Sequence, residues 1–407
     1  MDKIQLGLFF VCGFLLSRLI IKVNLPQAIV ERLTAAQKLS FPRLLLLLLV
    51  ASAFLSFFIP NVITVLTMLP VINLLREDIV KVSGASRAGA STLLTLPVIY
   101  GANIGGMGSV TSTPANALLV GYLGIDHHPG ESVVTFAVWL GWGVPLVLVC
   151  LLGAWMVLAV VQRLWLSDVG IIETHVRRDT GSKLFHRLTV RIGAGIFTGS
   201  LLMSFLLLRF PDTGPLNIVV TSLLTLFVFY LLFVRRFDGG DGLPRRLLKL
   251  SDCYSDLPWR GLLLLAIVIG IGAVLFMAGD FFRDLAAAGA AWIPEGTSPL
   301  LVFFGFALII SFVTELLSNT VVQITAFTVC VPLAQQIGVD VVPLLIVATL
   351  SSTSAYMSPL ATGVNGLAFG GMRGVSLWRM LVAGTFMNIV GAALIALWGT
   401  MVVPLFY

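Results

Sequence analysis

Charged residues are scarce in this chain, since Asp, Glu, Lys and Arg supply only 11% of its 407 residues. An average soluble domain has about 25% of them, so the chain lacks the polar surface that a water-soluble fold requires. Hydrophobic residues make up 58%. Apolar stretches recur from end to end at lengths near the roughly 20 residues that cross a bilayer. The composition predicts an integral membrane protein with the lipid bilayer as its main partner.

Sequence motifs for catalysis and for metal clusters are also missing. Four cysteines occur without C-x-x-C spacing, and no nucleophile–base pair, phosphate-binding loop or metal-ligand cluster is visible. The net charge of +6 does not indicate nucleic-acid binding, because a basic balance in a membrane protein reports the sidedness of its loops. We therefore expect no enzyme activity, no bound cofactor and no nucleic-acid partner.

The apolar pattern predicts an all-α polytopic membrane protein with about eight spanning helices and two re-entrant hairpins. The connections 163–191 and 235–258 are expected to be amphipathic. The spans are predicted near 5–22, 90–125, 133–162, 190–210, 216–234, 259–278, 343–370 and 376–405.

Two apolar stretches, 44–75 and 299–335, are predicted to enter and leave the membrane on the same side. Each is interrupted by polar residues, Pro60-Asn61 in the first and Ser318-Asn319-Thr320 in the second. A simple lipid-facing helix does not place such residues at mid-membrane, because lipid cannot satisfy their polar groups. We interpret both stretches as hairpins.

The distribution of basic residues supports this topology. With two hairpins, 22 of the 25 Lys and Arg residues fall on one face, whereas counting either hairpin as a full crossing would scatter them over both. We expect that face to be cytoplasmic and both termini to be extracytoplasmic. The expected location is the cell membrane, here a bacterial inner membrane, which the chain crosses several times. The basic segments are 18–43, 76–87, 163–191, 235–260 and 373–379.

The same topology makes the two hairpins inverted with respect to each other. It predicts two inverted repeats, 1–165 and 166–407, each with a hairpin followed by a broken helix, 90–125 in the first and 343–370 in the second. In secondary transporters of this plan the substrate binds near the midplane, where interrupted helices meet. We therefore expect the substrate site to lie where the helices are interrupted.

Both broken helices contain a T-x-x-N motif, Thr113 to Asn116 and Thr362 to Asn365. Helix N-termini direct amides at negative charge, while Ser, Thr and Asn oxygens can coordinate sodium, so the pattern suits a small anion together with a cation. Such residues also often bond only to neighbouring backbone. Glu315 is an intramembrane acid, which is a candidate to carry protons, to act at a cation site or to brace the hairpin.

At these residues the chain resembles the divalent anion:sodium symporter (DASS) family of the ion transporter superfamily. The match is closest in T-E-L-L-S-N-T at 314–320 and in G-G-M-G…T-P-x-N at 105–116. The resemblance implies a homodimer in which a transport domain moves as an elevator against a scaffold. It also implies a single site made of both hairpin tips and both helix breaks.

The resemblance assigns roles to individual residues. Sodium would be held by hairpin side chains and break carbonyls, here Ser56, Asn61, Ser112, Thr314, Ser318, Asn319 and Ala361. Substrate carboxylates would be held by Asn61, Thr113, Ser318, Asn319, Thr320 and Thr362, with Asn116 and Asn365 as further candidates and Glu315 as a coupling candidate.

The chain departs from the family pattern in two places. The first S-N-T appears as Pro60-Asn61-Val62, which removes two hydroxyls. The chain also begins close to the first hairpin, so about three scaffold helices are expected to be absent and the first repeat truncated. The main hypothesis is a sodium-coupled carrier of a di- or tricarboxylate or related oxyanion. An anion exchanger, a proton-coupled carrier and a non-transporting scaffold remain alternatives.

Overall fold

The protein is described here by a computed structural model covering residues 3–25, 28, 38–83, 87–125, 134–166, 171–173, 183–210, 214–238, 244–254, 293–294 and 296–407. The described part is almost entirely α-helical, as predicted. In chain order its helices are α1 Lys3–Lys22, α2 Phe41–Phe58, α3 Asn61–Ser83, α4 Arg87–Met107, α5 Pro114–Ile125, α6 Phe136–Trp165, α7 Lys183–Arg209, α8 Gly214–Phe229 with a π-helical turn at Tyr230–Val234, α9 Leu250–Tyr254, α10 Pro299–Val313, α11 Asn319–Ile337, α12 Val341–Thr353, α13 Gly363–Gly371 and α14 Leu377–Met401, followed by a 3-10 turn at Val403–Leu405.

Four predicted spans, 133–162, 190–210, 216–234 and 376–405, match helices α6, α7, α8 and α14, whereas α2 and α11 lie in the stretches that were predicted as re-entrant hairpins. Within the described residues, six helical segments are apolar and long enough to cross a membrane, in α2, α6, α7, α8, α11 and α14. The span predicted at 5–22 corresponds to α1, and the one at 259–278 lies outside the described residues. The broken helices are each divided, into α4 and α5 and into α12 and α13. The chain is thus an all-α polytopic membrane protein.

Two short pairs of strands lie outside the apolar helices. Strand β1, Lys38–Ser40, pairs antiparallel with β2, Ile171–Glu173, and β3, Arg236–Asp238, pairs antiparallel with β4, Pro244–Arg246. The described parts of the two connections that were expected to be amphipathic therefore include strands, and the second also includes the short helix α9.

The interruption between α2 and α3 is a two-residue turn that we call the first tip, residues 59–60. Helix α2 ends there because Pro60 disfavours the helical conformation at Ile59, which is extended with φ −127° and ψ 154°. The second tip, residues 314–318, separates α10 from α11, and Ser318 is the N-cap residue of α11. Both tips lie where the sequence predicted the hairpins to be interrupted.

The two broken helices restart at the T-x-x-N motifs. We call residues 108–113 the first break and residues 354–362 the second break. The hydroxyl of Thr113 accepts a hydrogen bond from the Asn116 amide at 3.2 Å, and that of Thr362 accepts one from the Asn365 amide at 3.1 Å. A Thr whose hydroxyl accepts from the backbone amide three residues later is an N-cap. This explains why α5 and α13 begin at these motifs.

Most helices share one apolar core, whereas α7 and α8 lie largely outside it. In the most apolar stretch of each helix, 56% of α2 is buried inside the protein, but only 11% of α7 and 17% of α8. Helices α7 and α8 therefore present most of their surface outward. A second, smaller cluster joins α1 to α8 through Leu15, Leu19, Val228 and Leu232. The described chain thus has a main body and a side group of α1, α7 and α8, and α1 also contacts the main core through Leu16 and Ile20.

The closest helix contact in the main body is between α2 and α4. A Cβ built on Gly105 would lie 2.2 Å from the carbonyl oxygen of Ala53, and one on Gly101 would lie 2.3 Å from that of Leu49. Only glycine allows the two backbones to approach this closely, as small residues do in other membrane helix pairs. These glycines hold α2 against α4 and so place the first tip beside the first break.

We predict that Gly105→Ala destabilises the purified protein, because its methyl group would overlap the Ala53 backbone. Overpacking of this kind costs about 1–3 kcal/mol. The matched control is Gly121→Ala in α5, where a Cβ would meet nothing within 4 Å. Thermal unfolding in detergent should show a lower melting temperature for Gly105→Ala alone. Equal melting temperatures for the two variants would contradict the contact.

Candidate functional site

The first tip carries a hydroxyl, an amide and a backbone carbonyl in mutual contact. Ser56 is fully buried near the end of α2, and its Oγ lies 2.5 Å from Asn61 Oδ1 and 2.7 Å from the carbonyl oxygen of Ala102, two acceptors that share its single hydrogen. Asn61 is the first residue of α3, so its amide lies at a helix N-terminus. Three oxygen atoms from three helices, α2, α3 and α4, therefore converge on one point.

The second tip repeats this arrangement. Thr314 is fully buried, and its Oγ1 lies 2.8 Å from Asn319 Oδ1 and 2.8 Å from the carbonyl oxygen of Ser352, which share its single hydrogen in the same way. Asn319 is the first residue of α11. Hydroxyl and amide are separated by five residues in both tips. We call the two groups the first oxygen set, Ser56, Asn61 and Ala102, and the second oxygen set, Thr314, Asn319 and Ser352.

Both oxygen sets have the chemistry of a site for a hard monovalent cation. Hydroxyl, amide and carbonyl oxygens at interrupted helices are the groups that coordinate sodium in secondary transporters. The hydroxyl-to-amide contact also shows that the first tip retains this set although Pro60 and Val62 replace the two hydroxyl residues expected there.

The two helix breaks are braced by matching asparagines. Asn116 Nδ2 donates to the carbonyls of Gly106 and Ser109, ten and seven residues earlier, at 2.9 and 2.8 Å. Asn365 Nδ2 donates to the carbonyls of Ala355 and Ser358, again ten and seven residues earlier, at 3.2 and 2.9 Å.

Both asparagine side chains are fully buried, and each bonds two backbone carbonyls within or next to its break. In this structure Asn116 and Asn365 hold the breaks in shape.

The other predicted residues lie around these sets. Ser112 donates from Oγ to the carbonyl of Phe57 at 3.0 Å and so ties the first break to α2. Ser318 is exposed and makes no side-chain capping bond, Thr320 is half-buried, and Ala361 is buried within the second break. The hydroxyls of Thr113 and Thr362 serve as helix caps.

Glu315 has an extensive set of partners. It is fully buried, and its Oε1 accepts from the backbone amides of Tyr356 and Met357 at 2.6 and 2.8 Å. Its Oε2 accepts from the amide of Ser358 at 2.7 Å, and Asn388 Nδ2 donates to Oε1 at 2.9 Å.

Four N–H donors on one side chain match the acceptor capacity of a carboxylate. Of the three roles open to Glu315, its contacts match bracing, because it holds the second break against the second tip.

Two further residues connect the halves of the molecule. Asn103 on α4 accepts from Asn61 Nδ2 at 3.4 Å and donates to the carbonyl of Ala355 at 2.6 Å. Gln323 on α11 donates to the carbonyl of Ala115 at 2.8 Å. Sequence reasoning did not select these residues as site members, because a single Asn or Gln within an apolar helix gives only a weak signal.

A sequence model of the citrate transporter family matches residues 3–351. The sodium-dependent dicarboxylate transporter SdcS of Staphylococcus saprophyticus is 26% identical over 416 residues, which covers 97% of this chain and 76% of that protein. The proteins of the same name from Staphylococcus aureus strains MW2 and N315 are also 26% identical, over 415 residues, with the same two coverages.

These matches confirm the predicted resemblance to sodium-dependent carriers of carboxylates, and they indicate a transporter family and not an enzyme family. The family model extends over both tips and the first break. With an all-α membrane fold, interrupted helices and a family match over most of its length, the chain belongs to the citrate transporter family.

Proposed function

We propose that this protein is a sodium-coupled secondary carrier of a small di- or tricarboxylate or a related oxyanion. The observation that carries the proposal is the pair of matching oxygen sets, each built from a hydroxyl, an asparagine amide and a carbonyl at an interrupted helix. The names of the relatives, sodium-dependent dicarboxylate transporter and citrate transporter, support both the ion and the substrate class.

In the proposed mechanism each oxygen set holds one sodium ion. The site residues of the tips and breaks, as described above, carry no basic side chain, so an anion there needs another source of positive charge. Two bound cations would offset the two charges of a dicarboxylate. Substrate binding would then depend on sodium, which couples the two flows.

The substrate would bind between the tips and the restarting helices. Helices α3, α11, α5 and α13 all begin at a tip or a break, and a helix N-terminus attracts a carboxylate. Val62, at the start of α3, lies 3.8 Å from where a Cβ on Gly363 would stand, so the first tip adjoins the start of α13. The proposed carboxylate ligands are Asn61, Thr113, Ser318, Asn319, Thr320 and Thr362.

The proposed movement is alternating access of elevator type. The main body, with both oxygen sets, would be the moving part, and the side group of α1, α7 and α8 would belong to the scaffold. The low burial of α7 and α8 and the smaller apolar cluster that joins α1 to α8 support this division, while Leu16 and Ile20 of α1 contact the main core. We also propose that the chain consists of two inverted repeats divided near residue 165 and that it forms a homodimer. Its location would be a bacterial inner membrane, with both termini on the extracytoplasmic side.

The first experiment is thermal unfolding of the purified protein over a range of sodium concentrations and pH. The ligand panel is succinate, malate, citrate, sulfate and arsenite. A ligand that binds only the folded state stabilises it, by about 2.7 kcal/mol at 100 times its Kd. We expect a carboxylate to raise the melting temperature by an amount that grows with sodium. A shift independent of sodium would favour exchange or proton coupling, and no shift would contradict a carrier.

We predict that Asn319→Ala abolishes both the sodium-dependent stabilisation and uptake into proteoliposomes, because it removes the amide oxygen of the second oxygen set. The variant should still fold, since Asn319 is only half-buried. Gln336→Ala, an exposed amide on the same helix, is the matched control and should behave as the unmodified protein. Normal uptake by Asn319→Ala would refute the site.

The role of Glu315 is tested by Glu315→Gln. The substituted amide group would point N–H toward backbone N–H donors, and each unsatisfied buried donor costs about 1–3 kcal/mol. We expect a clearly lower melting temperature. Asp340→Asn is the matched control, because Asp340 is an exposed N-cap and Asn caps equally well. An unchanged melting temperature together with loss of a pH-dependent uptake would instead make Glu315 a proton carrier.

Reciprocal variants of the tips test whether both contribute. Val62 and Thr320 each follow the asparagine of their oxygen set directly. We expect Val62→Thr to tighten sodium or carboxylate binding and Thr320→Val to weaken it, each by roughly two- to tenfold, the effect of one neutral hydrogen bond. Sodium titrations of thermal stability measure both. If Val62→Thr has no effect while Thr320→Val does, the first tip does not line the site.

A further inference from the structure

Asn103 lies one residue beyond the carbonyl of the first oxygen set and near the end of helix α4. Its side chain is only 2% exposed, so its amide must find partners inside the protein. Both ends of the amide do so, and the two partners belong to different halves of the chain.

Toward the first half, Asn103 Oδ1 accepts from Asn61 Nδ2 at 3.4 Å. The close approach of Asn61 to α4 depends on Gly106, since a Cβ there would lie 3.0 Å from Asn61 Oδ1 and 3.2 Å from Asn61 Nδ2. Asn61 thus uses its oxygen for Ser56 and its nitrogen for Asn103. Any change at the oxygen is felt by the same planar amide group that contacts Asn103.

Toward the second half, Asn103 Nδ2 donates to the carbonyl of Ala355 at 2.6 Å. Ala355 lies in the second break, three residues after Ser352, whose carbonyl belongs to the second oxygen set. The Ala355 carbonyl also accepts from Asn365 Nδ2 at 3.2 Å, so both of its acceptor positions are engaged by amides. Asn103 therefore contributes to the shape of the second break.

We propose that Asn103 is a positioning residue that couples the two oxygen sets, so that a cation bound at the first promotes binding at the second. The inference rests on the proposed function, and it adds a communication between the two cation sites. The observation that carries it is the continuous line of hydrogen bonds from Ser56 through Asn61 and Asn103 to Ala355.

The physical basis is polarisation along this line. A cation at Asn61 Oδ1 draws electron density from that amide and makes its Nδ2–H a stronger donor to Asn103. The Asn103 amide is polarised in the same sense and donates more strongly to Ala355. Chains of hydrogen bonds strengthen one another in this way inside proteins. The second break is then held in its binding shape before the second cation arrives.

The reverse connection is not built in the same way. Thr353 follows Ser352 as Asn103 follows Ala102, but the Thr353 hydroxyl bonds to the carbonyls of Thr349 and Leu350 in its own helix. The residue after the second oxygen set therefore provides no counterpart to the link through Asn103.

The test is a titration of the purified, unmodified protein and its variants with sodium chloride alone. Choline chloride keeps the ionic strength constant, and tryptophan fluorescence reports binding. Trp139 is a suitable reporter, because its Nε1 donates to the carbonyl of Met107 at the edge of the first break. Two coupled sites allow a Hill coefficient of up to about 2, and independent sites give about 1.

We expect a Hill coefficient well above 1 for the unmodified protein and about 1 for Asn103→Leu, which has a similar volume and no hydrogen bonds. Thr95→Val is the matched control, since Thr95 is buried on the same helix and bonds only to the carbonyl of Ser91 among the contacts described. It should retain the full Hill coefficient. Should Asn103→Leu fail to fold, Asn103→Asp keeps the acceptor, loses the donor to Ala355 and should also give about 1.

The outcomes separate the inference from the proposed function. A Hill coefficient of about 1 in the unmodified protein, or an unchanged coefficient in a folded Asn103 variant, would overturn the coupling while leaving a sodium-binding carrier. An equal loss of cooperativity in Thr95→Val would also overturn it. A complete lack of response to sodium in the unmodified protein would overturn both proposals.

Discussion

The structure depends on satisfying the backbone groups that are freed where helices are interrupted inside the apolar body. An unpaired carbonyl or amide costs several kcal/mol in such surroundings, so each interruption requires dedicated partners. Asn116 and Asn365 supply donors to the freed carbonyls, and Glu315 supplies acceptors to freed amides of the second break. The polar groups that make a site possible and those that keep the fold intact are therefore close neighbours, and several residues contribute to both.

The two halves solve the same problem with different residues. The second break is held by the carboxylate of Glu315, whereas the residue after Ser56, which corresponds to it in the first half, is Phe57. There the first break is held by Ser112, which donates to the Phe57 carbonyl, and by Trp139, which donates to the Met107 carbonyl. The second half thus carries a fixed acid beside its oxygen set, whereas the contacts described for the first break come from neutral groups.

The sequence alone was sufficient to locate the two tips and the two breaks. Pro60, Ser318 and the two T-x-x-N motifs act through local backbone chemistry, so their positions could be predicted without knowledge of the fold. The roles of Asn103 and Gln323 could not be predicted, because tertiary packing decides which distant carbonyl a buried side-chain amide bonds to. For the same reason Asn116 and Asn365, predicted as possible ligands, could be recognised as braces only from the structure.

In both oxygen sets a hydroxyl already donates to the asparagine oxygen, Ser56 to Asn61 and Thr314 to Asn319. In the proposed carrier this hydroxyl is an internal substitute for the ion, because it satisfies the amide oxygen after the ion has left. Without sodium, the buried amide oxygen would then still have a hydrogen-bond donor while the site crosses the membrane. This would speed the turnover of the carrier, because the unloaded site must return to its starting side of the membrane before the next transport cycle.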